Sequence, residues 1–297
     1  MKTILLIGKN GQVGWELQRS LLPLGRVIAL DRTQLDLTQP DAIRKTLREI
    51  APDIIVNAAG YTTVDKAEDE PELAMQINAT APGILAEESK RIHALLVHYS
   101  TDYVFDGTQS TPYVEEDEAR PVNLYGKSKL AGEKAIHASG CRHLILRASW
   151  IYSARGTNFV LTMLKLARQR SELVVVDDQI GSPSSAQALA KSTAELLGCF
   201  TDDAQSGLYH FSASGYVSRF AFAQAIIEVA KNFVGQASGW ATVCATTTEN
   251  YPYPLPAARP LNATTSKAKL KRVFGVALPP WQLQLRKALG EISVIRS

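Results

Sequence analysis

The chain has few cysteines. Cys141, Cys199 and Cys244 are scattered over 297 residues, and none belongs to a Cys or His pair. An odd, dispersed set excludes a disulfide framework, argues against structural zinc and suits a reducing cytoplasm. Long apolar runs are also missing. The first, residues 3–7, stops at Gly8 and carries no small-residue cleavage site, so it reads as a strand and not as a signal peptide; no later run approaches membrane-spanning length. Charge of one sign is scarce: the net +3 is spread along the chain, and basic residues neither cluster nor interleave with aromatics, which argues against nucleic-acid binding. Repeats and low-complexity tracts are absent. The length suffices for one large α/β unit or two smaller domains with substantial cores.

What is present begins with that first apolar run. It enters Gly8-Lys9-Asn10-Gly11-Gln12-Val13-Gly14, and a helical pattern starts at Val13. A buried parallel strand, a glycine-rich turn and a helix N-terminus form a site for a pyrophosphate: the glycines allow a tight turn and close approach, and the helix end favours anions. The spacing is a one-residue variant of the G-x-G-x-x-G fingerprint. A second run, 26–30, ends on Asp31, where a Rossmann unit needs an acid for the ribose hydroxyls, and its neighbour Arg32 could pair with a 2′-phosphate. These neighbours give opposite instructions, so the expected cofactor is NADH or NADPH. Asp36 can reach an adenine, while Thr38 or Asp41 can cap a helix over 43–50.

Strand and helix patterns alternate through the first half, predicting a Rossmann-type doubly wound parallel sheet with a smaller C-terminal α/β substrate domain. The expected boundaries are 1–148 for dinucleotide binding, with a returning segment near 187–220, and 149–297 for the interleaved substrate domain. Strand 53–57 runs into Ala58-Ala59-Gly60, small enough to leave room for a cofactor ring. A helix over 72–91 should kink at Pro82, and Asn78 within it can hold backbone near the site or bond locally. The next strand ends in Ser100-Thr101-Asp102, at the carboxyl edge where open α/β sheets bind ligands. Thr101 there can cap a strand end or polarise a substrate carbonyl. The stretch 246–262, rich in Thr, Pro and Tyr, should loop over a ligand or over the first domain, and Arg259 within it offers a guanidinium to a phosphate.

Tyr125-Gly126-Lys127-Ser128-Lys129 heads a helical pattern and sets a phenol and an ammonium on one helix face. A tyrosine alone titrates near pH ~10. A neighbouring lysine charge is expected to lower that value and let Tyr125 move a proton at neutral pH.

The glycine turn, Asn57-Ala58-Ala59-Gly60, Ser100-Thr101-Asp102 and Tyr125-x-x-x-Lys129 resemble an extended short-chain dehydrogenase/reductase. Ser100 to Gly107, Pro121-x-Asn123-x-Tyr125-Gly126-x-x-Lys129, Arg147-x-Ser149-Trp150 and Asp178-Gln179-x-Gly181-x-Pro183 resemble, more closely, the dTDP-4-dehydrorhamnose reductase family from end to end. That resemblance implies hydride transfer from NAD(P)H to C4 of dTDP-4-dehydro-L-rhamnose, giving dTDP-L-rhamnose for polysaccharide synthesis. It implies Thr101, Tyr125 and Lys129 as the catalytic set. For the cofactor it implies Asn10, Gly11, Gln12 and Val13 at the phosphates, beside Gly8 and Gly14 of the turn. Asp31, Asp36 and Leu37 would lie at the adenosine, with Ala59, Gly60, Tyr61 and Thr62 on the far side. Asp102 and Trp150 would place the sugar nucleotide. The family also implies a monomer or homodimer, in some members linked by Mg²⁺; here Gln187 stands where an acidic ligand would be sought, and Glu16 remains, so no metal site is assigned. The same fold also serves other nucleotide-sugar 4-reductases, 4-epimerases and non-catalytic NADP-binding regulatory subunits. Intact Thr101, Tyr125 and Lys129 argue against the last.

Overall fold

Ile4, Leu5, Leu6 and Ile7 are buried on both faces of their strand, the signature of an interior parallel strand covered on either side. The computed structural model describes residues 1–234, 239–253 and 255–296. Strand β1 (Lys2–Ile7) lies between β2 (Gly25–Leu30) and β3 (Ile54–Asn57), and β4 (Leu95–Thr101) and β5 (His143–Ala148) extend the sheet. The short strands β6 (Ile151–Tyr152), β7 (Glu172–Val176), β8 (Ile180–Gly181) and β9 (Ser184–Ser185) follow. Then β10 (Gly207–His210) returns beside β5, with Leu208 opposite Ile145. The order β10-β5-β4-β3-β1-β2 is parallel throughout. It reverses around β1, and the carboxyl ends of β1, β3 and β4 open on the crevice that such a reversal creates. Two further strands are β11 (Val217–Ser218) and β12 (Thr242–Thr246).

Helices α1 (Gln12–Ser20), α2 (Pro40–Ile50), α3 (Lys66–Asp69), α4 (Pro71–Met75), α5 (Ala81–Arg91) and α6 (Leu124–Ser139) accompany the first five strands. Beyond them come α7 (Phe159–Gln169), α8 (Ala186–Cys199), α9 (Arg219–Val234), α10 (Ala268–Phe274) and α11 (Trp281–Arg296). Strand alternation divides the sheet's side chains between two cores. Ile4, Leu6, Val56 and Leu146 meet Leu17 of α1, Leu189 of α8 and Leu270 of α10. Leu5, Ile55, Leu96 and Ile145 meet Ile43 of α2, Leu85 of α5 and Ile136 of α6. A separate core joins α7, α9 and α11 to β7, which pairs in parallel with β12.

The helix expected over 72–91 is three pieces. Between α4 and α5 the chain makes a π-turn, Gln76–Thr80, and Pro82 falls in the first turn of α5. Pro82 has no N–H for the carbonyl of Asn78, so the distortion precedes the proline. That widened turn receives α6: a Cβ on Gly132 would stand 2.1 Å from the Asn78 carbonyl oxygen. Helix α2 starts at Pro40 with Gln39 as N-cap, not at Thr38 or Asp41. The 246–262 stretch, whose Pro254 lies outside the described residues, runs over the first half of the chain: Asn123 Nδ2 donates to the Ala258 carbonyl and Ala257 N to Asp65.

Candidate active site

The glycine turn is built for close approach. Gly8 has φ +89°, and a Cβ there would lie 2.8 Å from the Ala59 amide nitrogen; one on Gly14 would lie 2.0 Å from the Gly8 carbonyl oxygen. Only glycine lets the turn close against α1 and the end of β3. Gly11 is the N-cap of α1 and supplies no side-chain cap, which leaves first-turn amides and the positive helix end for an anion. A cavity of 1110 Å³ opens here. Gly8, Asn10, Gly11, Gln12 and Val13 line one wall and Ala59, Gly60, Tyr61 and Thr62 another, with Gly14 behind the turn.

Asp31, Arg32, Asp36 and Leu37 line the far end. Hydrogen bonds from Thr33, then the proximity of Lys9, hold the Asp31 carboxyl down at about 2. Thr33 Oγ1 donates to it at 2.6 Å and Lys9 Nζ lies 3.3 Å away. Asp36 is lowered mainly by the Thr38 amide, and Arg32 faces it at 3.7 Å. An anionic acid flanked by Lys9 and Arg32 can serve ribose hydroxyls or tolerate a 2′-phosphate. The uncapped helix end and glycine turn fit a dinucleotide pyrophosphate.

At the opposite end the cavity meets Thr101, Asp102, Tyr125 and Trp150. Thr101 closes β4, and its Oγ1 donates to Asp102 at 3.2 Å. Asp102 is 2 % exposed and also accepts from Ser149 Oγ at 2.6 Å; burial pushes its carboxyl up to about 6. Tyr125 stands in the first turn of α6, whose N-cap Asn123 accepts from Gly126 N at 2.7 Å. A Cβ on Gly126 would lie 2.2 Å from the Tyr103 carbonyl oxygen, so glycine allows α6 to seat against the end of β4.

The expectation that Lys129 lowers the Tyr125 pKa is corrected. Tyr125 is pushed upward by burial, only partly opposed by hydrogen bonding with Thr101. Lys129 lies behind the cavity wall, 4 % exposed, with Nζ donating to the Tyr99 carbonyl at 2.6 Å and lying 3.2 Å from His98 Nε2. Burial lowers its ammonium to about 8, against the pull of Glu133. The Gly60 turn borders it, since a Cβ there would approach Nζ to 3.9 Å.

Asn78, which the sequence left between two roles, holds that turn. Its Oδ1 accepts from Tyr61 N at 2.8 Å, and Nδ2 donates to Tyr61 O at 2.9 Å and Ser128 Oγ at 3.0 Å. The Tyr61 hydroxyl donates to Glu70 at 2.6 Å and is pushed up to about 12, first by burial.

Trp150 has φ +43°, and a Cβ on Gly181 would lie 2.5 Å from its ring, which explains the glycine of the Asp178-Gln179-x-Gly181 loop. Arg219, at the head of α9, lays its guanidinium 3.6 Å from the Trp150 ring centroid and lines the cavity. Burial lowers it, while Tyr103 and Asp102 favour its charge. Sequence reading missed this residue, because its only signal is an arginine opening a distant helix. The Arg259 guanidinium donates to Asp65 at 2.8 Å and to the Ala257 carbonyl at 2.6 Å, which ties its loop down, and it stands near enough to Arg219 to disfavour that residue's charge.

The carboxylates that could concern Mg²⁺ lie elsewhere, where Glu16, Gln187 and Glu291 border a crevice between α1, α8 and α11. Gln187 Nε2 donates to Glu291 at 2.6 Å and Arg19 to Glu16 at 2.9 Å. An amide and two engaged carboxylates do not fit a hard dication that wants several free oxygens. Among the described residues no group of three or more His, Cys, Asp or Glu gathers as metal ligands.

The chain matches the family described as RmlD substrate binding domain over residues 1–294. It is 44% identical over 295 residues to the dTDP-4-dehydrorhamnose reductase of Escherichia coli strain K12, covering 97% of each chain. The dTDP-4-dehydrorhamnose reductase of Burkholderia thailandensis is 44% identical over 288 residues, 94% of this chain and 95% of that one. A crystal structure of dTDP-4-dehydrorhamnose reductase from Bacillus anthracis strain Ames in complex with NADP superposes with a TM-score of 0.88 at 35% identity, covering 98% and 99% of the two chains. With its glycine cradle, its Thr101, Tyr125 and Lys129, and this likeness along its whole length, the chain belongs to the dTDP-4-dehydrorhamnose reductase family.

Proposed function

We propose that this protein reduces C4 of dTDP-4-dehydro-L-rhamnose with NADPH or NADH, giving dTDP-L-rhamnose for polysaccharide synthesis. The observation that carries the reading is one cavity bordered by the dinucleotide cradle at one end and by Thr101 and Tyr125 at the other, in a chain of this family. Reduced nicotinamide supplies the hydride when bound.

The chain's own residues do the rest. Gly8, Asn10, Gly11, Gln12 and Val13, with Gly14 behind them, hold the pyrophosphate, and Asp31, Arg32, Asp36 and Leu37 hold the adenosine end. Asn78 keeps the Gly60–Tyr61–Thr62 backbone and Ala59 against the cofactor's other face. Thr101 hydrogen-bonds the C4 oxygen. Tyr125, whose raised pKa keeps it a phenol at neutral pH, gives its proton to that oxygen as C4 gains the hydride, so the ketone becomes a secondary alcohol. Lys129, as ammonium, stabilises the tyrosinate that remains and steadies the ribose. Asp102 and Trp150 orient the sugar nucleotide, and Arg219 adds a desolvated cation beside them.

Among the described residues no helix is long and apolar enough to cross a membrane. Cys141, Cys199 and Cys244 are free thiols, as suits a reducing compartment. Nicotinamide absorbance followed with dTDP-4-dehydro-L-rhamnose tests the reading. Loss of absorbance with one cofactor and formation of dTDP-L-rhamnose is expected; a folded protein that turns over neither cofactor would remove it.

A further inference from the structure

His98 stands behind Lys129 on β4, 1 % exposed, with no part in the chemistry above. Its Nε2 lies 3.2 Å from Lys129 Nζ and its Nδ1 lies 3.1 Å from Nδ2 of Asn57, the residue opposite it on β3. The Asn57 amide is oriented by a third group: its Oδ1 accepts the Ala59 N–H at 3.2 Å, which turns Nδ2, a donor only, toward the ring. Nδ1 must therefore accept. Burial and the neighbouring lysine keep His98 neutral, so its single ring proton sits on Nε2, the atom that faces Lys129.

That tautomer treats the two forms of Lys129 differently. An ammonium has three donors and no acceptor, and it meets another N–H in His98; an amine offers a lone pair that accepts it. The Tyr99 carbonyl, 2.6 Å from Nζ, takes a hydrogen bond from either form. Glu133, one turn along α6, favours the ammonium, but its carboxylate is shared with Arg147, which donates to it at 2.9 and 2.7 Å, and with the Ser100 hydroxyl.

We propose that His98 is a positioning residue: held by Asn57 as the Nε2–H tautomer, it donates to Lys129 in its amine form and so weakens the hold of Nζ on its proton. Lys129 thus becomes an exchangeable charge beside Tyr125 rather than a permanent one. The kinetic consequence rests on the reading of Lys129 as the partner of Tyr125; the tautomer and the lysine titration do not.

Nitrogen-15 NMR of histidine-labelled protein reads the tautomer directly, and a proton on Nε2 with bare Nδ1 is expected through the neutral range. A proton on Nδ1 overturns the proposal without any variant. Titration of Lys129 followed by NMR then separates three proteins. His98→Asn keeps an acceptor for Asn57 and removes the N–H aimed at Nζ, so the Lys129 midpoint should move to higher pH, to about a tenfold lower proton concentration. His98→Gln restores an N–H at that reach and should return the midpoint toward the wild type. Identical midpoints in all three overturn the proposal. If the midpoint moves but the pH profile of kcat does not follow, the tuning by His98 stands and the kinetic role given to Lys129 falls.

Discussion

Asn78 satisfies both backbone polar groups of Tyr61 with one side chain, accepting from its N–H at 2.8 Å and donating to its carbonyl at 2.9 Å. The turn after β3 is thereby fixed to the π-turn before α5, and Ser128 ties the same amide to α6. Asn78→Ala leaves these groups without partners, at a cost of about 1–3 kcal/mol. Cofactor affinity, measured by fluorescence titration, should weaken by a similar free energy together with a lower melting temperature. Unchanged affinity would mean that the turn holds its shape alone.

Tyr125→Phe removes only the phenolic oxygen. Turnover should fall by roughly 10²–10⁴-fold, the usual worth of a positioned proton donor, while the dissociation constant for the nicotinamide cofactor stays as it was. Stopped-flow reduction beside equilibrium binding separates the two. A near-native kcat would assign the proton to another group.

Arg219 lies 3.6 Å over Trp150 and lines the cavity next to Asp102. Arg219→Gln should raise KM for the sugar nucleotide roughly tenfold to a hundredfold, the range for losing a hydrogen bond to a charged group, and leave cofactor binding alone. A KM equal to the wild type would confine the arginine to packing on the indole.

His210 is fully buried, and burial, then Arg147, lowers its pKa to about 3. Below pH 6.5 the unfolded chain takes up a proton at this position that the native protein refuses until the pH nears 3, so its contribution destabilises the fold as pH falls. His210→Asn removes that contribution, and the variant's stability relative to the wild type should improve by about 1.4 kcal/mol per pH unit below 6.5. Urea midpoints at pH 7 and pH 5 measure the change. Parallel curves would refute the assignment.

Glu133 and Arg147 form a buried pair, each side chain 5 % exposed, with the guanidinium also 5.0 Å from the Phe105 ring centroid. Glu133→Leu strands the arginine and should destabilise by about 3–5 kcal/mol. Because Ser100 also donates to Glu133, the change should reach the Thr101 end of β4 and lower kcat. A stability loss within the range for a surface substitution would show that Arg147 finds another partner.

Much of this was legible in the chain. The run 3–7 ending in spaced glycines, the acid at Asp31 and the hydroxyls at the end of β4 each carry a local signal, because a parallel strand buried on both faces must be apolar and a turn that meets a phosphate must be small. The π-turn was misread as a proline kink, since what decides it is the carbonyl that Pro82 leaves free and the helix that packs there. Arg219 was unreadable because an arginine that opens a distant helix carries no local signal, and the partner of Arg259, Asp65, lies far from it in sequence.

The sequence by itself determined the fold class and the strand, glycine turn and helix that open it, since these follow from local periodicity and glycine spacing, and its motifs put forward Thr101, Tyr125 and Lys129 as the candidate catalytic set. Only the tertiary structure decided their electrical state. Lys129 faces His98 and the Tyr99 carbonyl, and burial raises Tyr125 where spacing alone implied the reverse. Solvent exclusion and long-range partners set a proton's affinity, and neither can be read from residues four apart on a helix.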